Sequence, residues 1–353
     1  MKTETTAREG SRRLPRILVT GGSGFLGKAI VNEFLQPSSP FSPELLRIFD
    51  VSPYTGPADP RIEYIRGDVR DLKLFSDACR DIDILIHSAA VVDWGTKPEE
   101  EIRAVNTGGT ENAIKACLEQ KVGILIYTSS LDAIFGGKPL AGIDETIPYP
   151  PSHPTSYCRS KYRSELLVTE AGSKGLKTCI LRPADIWGEL DPYHIGSLLA
   201  MAKGGFYVRL GDGTTKSQHV YVGNMAWAHL LAAKALWDGN NKVTGSIYFI
   251  TDAPPSNFFK FFDPIVEAAG YRIWPKSFWI PRNIAFAMGF LSEMTAKMVS
   301  PFKKYTPKLS RFAVTYTCGD FTFNTDKAKR EFGFIPKYSP EESFRRTVSA
   351  YKK

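Results

Sequence analysis

The chain lacks most of what extracellular, metal-binding or membrane-spanning proteins are built on. Its five cysteines, Cys79, Cys117, Cys158, Cys179 and Cys318, are odd in number and form no CxxC. That excludes a zinc ribbon and a dithiol redox motif and points to a reducing compartment. No run of eighteen apolar residues occurs, so no membrane-spanning helix is expected. The N-terminal stretch, Met1 to Arg16, is polar and basic without an apolar core segment, which excludes a secretory signal. Residues 1–15 are expected to form a flexible N-terminal segment. The five histidines form no HExxH, no GxSxG has triad partners, and no carboxylates pair as in glycoside hydrolysis. No metal site is expected, and no internal repeat or low-complexity tract is present.

Charge of one sign is scarce except at one end. The formal net charge is +8, and twelve Lys or Arg against five Asp or Glu from Pro301 onward account for +7 of it. The remainder is nearly neutral. The basic end reads as a solvated helical face with mixed charges, and no nucleic-acid partner is expected. What the chain does have is a core: 43 % hydrophobic residues against 23 % charged excludes disorder over its 353 residues.

Short apolar runs alternate with helical stretches over the first 190 residues. Arg16–Thr20, Leu45–Asp50, Ile62–Arg66, Ile82–Ser88, Ile124–Ser129 and Lys177–Arg182 read as strands. Phe25–Leu35 and Ile102–Gln120 read as helices. Buried runs without polar alternation, separated by helices, predict an α/β fold: a Rossmann-type doubly wound parallel sheet covered on both faces. Beyond it the pattern loosens. Helices over Ile195–Lys203, Asn224–Trp237 and Phe258–Ala269, with a strand near Ile247–Ile250, suggest a smaller substrate lobe interleaved with the main sheet. The expected division is therefore 16–190 for the dinucleotide domain and 191–353 for the lobe.

Gly21-Gly22-Ser23-Gly24-Phe25-Leu26-Gly27 lies between the first strand and the first helix. A pyrophosphate needs that placement, because glycine permits the tight turn and the helix N-terminus presents unpaired N–H groups. Gly22 to Lys28 also fits a P-loop, but Ala29 stands where a P-loop needs a hydroxyl. Asp50 ends the second strand, where a carboxylate accepts hydrogen bonds from the adenosine ribose and repels a 2′-phosphate. NAD is therefore favoured over NADP. Asp68 and Val69 follow the third strand. A carboxylate there reaches the adenine amino group, or caps the next helix. Ala89, in His87-Ser88-Ala89-Ala90, is small enough to let a dinucleotide lie close, and His87 reads as a packed core histidine.

Tyr157-Cys158-Arg159-Ser160-Lys161 is a YxxxK. On a helix the phenol and the ammonium share a face, and the positive charge is expected to lower the phenol pKa. Such a tyrosine exchanges a proton with an alcohol or a carbonyl. Ser130, or its neighbour Ser129, is placed to hydrogen-bond the substrate oxygen. Asn106 is expected to interrupt its helix and to hold a proton-relay water, the alternative being a surface helix residue.

In this order the motifs resemble an extended short-chain dehydrogenase/reductase. Within that class the chain is similar to the 3β-hydroxysteroid dehydrogenase family, which includes the sterol 4α-carboxylate 3-dehydrogenases. The resemblance covers nearly the whole chain. It rests on Val19 to Gly27, Val105 to Thr110, Tyr127 to Ser130, Leu181 to Gly188 and, most specifically, Val220 to His229. It implies NAD-dependent oxidation of a 3β-hydroxyl on a steroid or sterol. Tyr157 would accept the proton, Lys161 would bind the nicotinamide ribose and tune Tyr157, and Ser130 would polarise the substrate oxygen. Pro183 and Ile186 would pack beside the nicotinamide. The resulting 3-ketone either loses CO₂ from a 4α-carboxylate or shifts a 5,6 double bond to the 4,5 position, and the motifs are compatible with both fates.

The alternatives are a dehydrogenase of a triterpenoid or meroterpenoid 3-hydroxyl, a nucleotide-sugar epimerase or reductase of the same fold, and a non-catalytic dinucleotide sensor. The aromatic richness of Phe258 to Phe302 argues against a sugar diphosphate, and the retained Tyr157 and Lys161 argue against a sensor. Trp274 to Met298, followed by Lys303 and Lys304, fits an interfacial helix. The expected partners are a small steroid- or sterol-like substrate, a peripheral membrane contact through 274–304 and a second copy of the chain. The expected location is intracellular, either cytoplasmic or peripheral on the cytoplasmic face of the endoplasmic reticulum, and not secreted.

Overall fold

The computed structural model describes residues 13–93, 97–205, 207–273, 275, 277–299 and 309–352. Residues 1–12 of the N-terminal segment, and Trp274 and Pro301 to Lys304 of the aromatic and basic stretch, lie outside the described residues.

Seven parallel strands make one sheet. They are β1 (Arg16–Thr20), β2 (Leu45–Asp50), β3 (Ile62–Arg66), β4 (Ile84–His87), β5 (Ile124–Thr128), β6 (Lys177–Pro183) and β7 (Ser246–Ile250). Their spatial order is 7-6-5-4-1-2-3, so the chain reverses direction across the sheet between β1 and β4. Ligands of such sheets bind at that reversal, outside the carboxyl ends of the strands.

Apolar runs produce this sheet because both of its faces are covered. Ile17 and Val19 join one buried cluster and Leu18, between them, joins the other. The same alternation runs through Ile84, Leu85 and Ile86 and through Ile124, Leu125 and Ile126. The helices up to residue 190 are α1 (Phe25–Leu35), α2 (Leu72–Ala78), α3 (Glu99–Ile102), α4 (Gly109–Gln120) and α5 (Ser156–Ser173). α2, α4 and α5 cover the face of Leu18 through Phe75, Ala113, Cys117 and Val168. The single helix expected over Ile102–Gln120 is instead α3, a π-helical turn at Arg103–Gly108 and then α4.

After residue 190 come α6 (His194–Lys203), α7 (Val222–Trp237), α8 (Phe258–Ala268), α9 (Arg282–Val299), α10 (Arg311–Thr317), α11 (Asp326–Phe332) and α12 (Pro340–Tyr351). α7 packs Met225 and Leu230 with Ile30 and Phe34 of α1 over the second face, and β7 is the outermost strand beside β6. Both therefore belong to the sheet and its covering layer. α6 and α8 build the lobe around Trp187, Phe258, Phe259 and Phe262.

α5 is fastened to the sheet by an ion pair with almost no solvent around it. Arg182 of β6 donates to both carboxylate oxygens of Glu165 at 2.8 and 2.6 Å, with side chains 2 % and 0 % exposed. Ser129 and Tyr149 donate to the same carboxylate at 2.5 and 2.7 Å. Removing Arg182 alone strands a buried charge. Arg182→Ala is therefore expected to destabilise the fold by about 3–5 kcal/mol, which urea unfolding followed by circular dichroism measures.

Candidate active site

A cleft of about 660 Å³ opens at the carboxyl ends of β1, β4, β5 and β6. Its first end is the glycine turn. Gly21 has φ +70°, and a Cβ there would meet the Cα of Ala89 at 2.8 Å. A Cβ on Gly27 would meet the carbonyl oxygen of Gly21 at 2.0 Å. Gly24 sits at the start of α1 without a side-chain cap, so the first-turn N–H groups of Phe25, Leu26 and Gly27 have no side-chain acceptor there. A backbone cradle of this shape fits a pyrophosphate. Lys28, the lysine a P-loop would turn inward, donates instead to Thr55 at 2.9 Å.

Gly21, Gly24, Phe25, Leu26, Gly27, Asp50, Asp68, Val69, Ala89, Pro183 and Ile186 all line the cleft. Asp50 accepts from the Ser23 N–H at 3.0 Å with one oxygen and from the Ser52 N–H at 2.8 Å with the other. Asp68 pairs with Arg70 at 2.6 Å, whose guanidinium holds the carboxyl below its ordinary value. The cap of α2 is Asp71 and not Asp68. His87 is buried and shares a 2.8 Å hydrogen bond with Thr20. Burial and the nearby Lys161 lower it to about 3, so it is neutral.

Tyr157 and Lys161 come from the first turns of α5 and both line the cleft. The Lys161 ammonium donates to the Thr128 carbonyl at 2.8 Å and lies 5.9 Å from the centre of the Tyr157 ring. Burial lowers Lys161 to about 8, against the opposing pull of Glu165 and Asp132. The expected lowering of the Tyr157 phenol is not what the structure contains. Burial, followed by the carboxylate of Asp132, raises it well above its ordinary value.

The serine pair divides. Ser129 turns back to Glu165, whereas Ser130 is hydrogen-bonded to Tyr157 and donates to Asp132 at 2.8 Å. Asn106 needs a correction. It lies in the π-helical turn, as an interruption, but it is neither a surface residue nor part of the cleft wall. Its amide bonds Val91 N–H at 2.7 Å, Val91 carbonyl at 3.0 Å and Ser160 at 2.9 Å. Its own carbonyl accepts from Thr110 and Ser164. With these bonds made, Asn106 clamps the strand following β4 to α5.

Sequence reading missed the far end of the cleft. Asp132, Asp185, Tyr193, His194 and Tyr316 line it. Tyr316 donates to Asp185 at 2.5 Å, and His194 approaches the same oxygen at 3.3 Å. Burial alone would lower His194, but Asp185 overrides it and holds the imidazole up at about 9. These residues are scattered between positions 132 and 316, and no motif spacing joins them. Among the described residues no cluster of His, Cys, Asp or Glu is arranged to hold a metal ion.

A doubly wound sheet, an N-terminal glycine cradle and a buried Tyr157–Lys161 pair over β5 define an extended short-chain dehydrogenase/reductase, a class of NAD(P)-dependent oxidoreductases. Solved structures share this fold. One is dTDP-glucose 4,6-dehydratase DesIV of Streptomyces venezuelae with NAD bound, at TM-score 0.70 and 22 % identity over 95 % of this chain and 96 % of that one. Another is the Bordetella bronchiseptica enzyme WbmH in complex with NAD⁺, at TM-score 0.71 and 17 % identity over 96 % and 99 %. The chain belongs to the 3-beta hydroxysteroid dehydrogenase/isomerase family, whose model matches residues 18–280. Short-chain dehydrogenase/reductase family 42E member 1 of Mus musculus is 34 % identical over 93 % of this chain and 86 % of its own length. The 3 beta-hydroxysteroid dehydrogenase/Delta 5→4-isomerase of Mycobacterium tuberculosis is 33 % identical over 96 % and 90 %. The 3beta-hydroxysteroid-dehydrogenase/decarboxylase isoform 1 of Arabidopsis thaliana is 32 % identical over 95 % and 79 %.

The closeness of Gly27 to Gly21 makes a direct test of the cradle. Gly27→Ala is expected to weaken dinucleotide binding at least roughly tenfold, read by fluorescence titration with NADH, while far-ultraviolet circular dichroism stays unchanged.

Proposed function

We propose that the protein oxidises a 3β-hydroxyl on a steroid or sterol to the 3-ketone with NAD. The observation that carries this reading is the Tyr157–Lys161 pair buried at the junction between the glycine cradle and a second, separately lined end of one cleft. A bound nicotinamide dinucleotide supplies the hydride acceptor. Gly21 to Gly27 hold its pyrophosphate, Asp50 its adenosine ribose, and Pro183 and Ile186 the nicotinamide face. Asp50 carries a negative charge to the position that a 2′-phosphate would occupy, which supports NAD over NADP. Lys161 binds the nicotinamide ribose. Tyr157 takes the proton of the substrate hydroxyl, and Ser130 keeps the substrate oxygen in register with it.

We also propose that α9 meets a membrane surface. Ile284, Phe286, Met288, Phe290, Leu291, Met294 and Met298 are exposed on this one helix, Leu291 to 63 % and Met298 to 71 %. Only Ala285 and Gly289 are buried in it, and Gly289 lies against the backbone of Ser310 and Arg311 at the start of α10. Among the described residues no helix is long and apolar enough to cross a membrane. An amphipathic helix lying in the interface fits that profile and a lipid-dissolved substrate.

Two measurements test these readings. Purified protein mixed with NAD⁺ and a 3β-hydroxysteroid is expected to form NADH, and Tyr157→Phe to lower the rate by at least about 100-fold. Turnover of UDP-sugars with sterols left untouched sinks the steroid reading. For the helix, wild-type protein is expected to sediment with phosphatidylcholine–phosphatidylserine vesicles. A Phe286→Asp, Leu291→Asp double variant should stay in the supernatant with its dinucleotide affinity intact. Equal sedimentation of both proteins refutes the contact.

A further inference from the structure

Asp132 lies in the 3₁₀ turn Leu131–Ile134 that follows β5, buried and on the wall of the cleft. One of its carboxylate oxygens accepts a 2.8 Å hydrogen bond from Ser130, and its backbone N–H donates to the Ser130 oxygen at 3.2 Å. Ser130 is in turn hydrogen-bonded to the Tyr157 hydroxyl. A serine hydroxyl has one proton to donate. Ser130 directs that proton at Asp132, so toward Tyr157 it acts as acceptor. All the protons of the line therefore point one way, from Tyr157 to Ser130 and from Ser130 to Asp132. The usual alternative, a relay past Asn106, has no open group to use, because the side chain and the carbonyl of that residue are engaged elsewhere.

We infer that Asp132 is the terminal proton acceptor of the oxidation, receiving through Ser130 the proton displaced when the substrate hydroxyl protonates Tyr157. This rests on the dehydrogenase reading above. The substrate O–H bond breaks and its proton passes to the Tyr157 oxygen. The original Tyr157 proton moves to Ser130, and the Ser130 proton moves to the Asp132 carboxylate. The carbinol carbon loses its hydrogen with two electrons to the dinucleotide, so the alcohol becomes a ketone and the dinucleotide is reduced. Asp132, now a carboxylic acid on the cleft wall, returns the proton to water. No free phenolate has to persist at any point.

The surroundings of Asp132 suit this role. Tyr157, Cys158 and Lys161 face it from α5, Asp185 from the segment after β6, His194 from α6 and Tyr316 from α10. Burial raises the carboxyl to about 6, Asp185 pushes the same way, and Ser130, Cys158 and His194 oppose. It is a carboxylate at neutral pH and an acid a little below.

The test joins kinetics to a readout that needs no substrate. With a 3β-hydroxysteroid and NAD⁺, kcat/KM of the wild type is expected to fall with the carboxylate fraction as the pH drops through about 6. Asp132→Asn should lower kcat/KM at neutral pH about 100-fold and abolish that acid limb, while Asp132→Glu should retain an acid limb. Infrared difference spectra of the protein alone should show a protonated-carboxyl C=O band rising through the same pH range in the wild type and missing from Asp132→Asn. Asp132→Asn turnover within twofold of wild type with the limb unmoved overturns the inference. So does an infrared band that survives the substitution, or, should the Asn variant fail to fold, a wild-type protein with neither the limb nor the band. A wild type that oxidises no 3β-hydroxysteroid refutes the steroid reading instead, and the infrared arm still decides whether Asp132 takes up a proton near pH 6.

Discussion

Taking an ammonium out of water costs several kcal/mol unless it is paired and hydrogen-bonded. α5 nevertheless buries Lys161 to 3 % exposure, between Tyr157 one turn before it and Glu165 one turn after it. The three residues recur every fourth position, so one stripe of the helix carries a phenol, a cation and an anion against the sheet. The Thr128 carbonyl takes one Lys161 proton, Glu165 lends it favourable charge, and Arg182 neutralises Glu165 in turn. The cleft depends on this stripe. It holds α5 at the ends of β5 and β6, where the sheet delivers its loops.

The stripe also decides which hydroxyl reaches the cleft. Successive side chains of an extended strand point to opposite sides. Ser129 follows β5 and is drawn back onto Glu165. Ser130 then turns forward to Tyr157 and begins the 3₁₀ turn that brings Asp132 beside it. A buried carboxylate fastened behind the helix thus sets the direction of a hydroxyl in front of it. On the far wall, Tyr316 of α10 reaches Asp185 next to the end of β6, joining the lobe to the sheet at the point where substrate would lie.

The sheet and the cradle were legible in the sequence because they depend on local rules. Unbroken apolar runs predict parallel strands, and every expected strand up to β6 lies in the main sheet within a residue or two of its expected ends. The YxxxK likewise shows its shared face through spacing alone. Electrostatics were less legible. The expectation that Lys161 lowers the Tyr157 phenol weighs one neighbour, whereas burial and Asp132 together outweigh it. Asn106 signalled a helix interruption but not its partners, since Val91 and Ser160 are brought to it by β4 and α5. The acidic end of the cleft carried no signal at all. Asp132, Asp185, His194 and Tyr316 meet only through tertiary folding, and each alone reads as an ordinary loop or helix residue.

The opposing positions of Tyr157 and Asp132 on the proton scale have a common logic. Burial raises both, but from different starting points. Each unit of displacement costs about 1.4 kcal/mol of differential stability between charged and neutral forms. A phenol already neutral at physiological pH becomes still harder to ionise when it is buried. A carboxyl lifted to about 6 remains ionised in neutral solution at almost no cost. Negative charge at this site is therefore held most cheaply on Asp132, and the hydrogen-bonded line through Ser130 lets that charge act on the Tyr157 oxygen without residing there. A burial that would disable an isolated tyrosine base is tolerable once the base strength comes from a carboxylate two hydrogen bonds away.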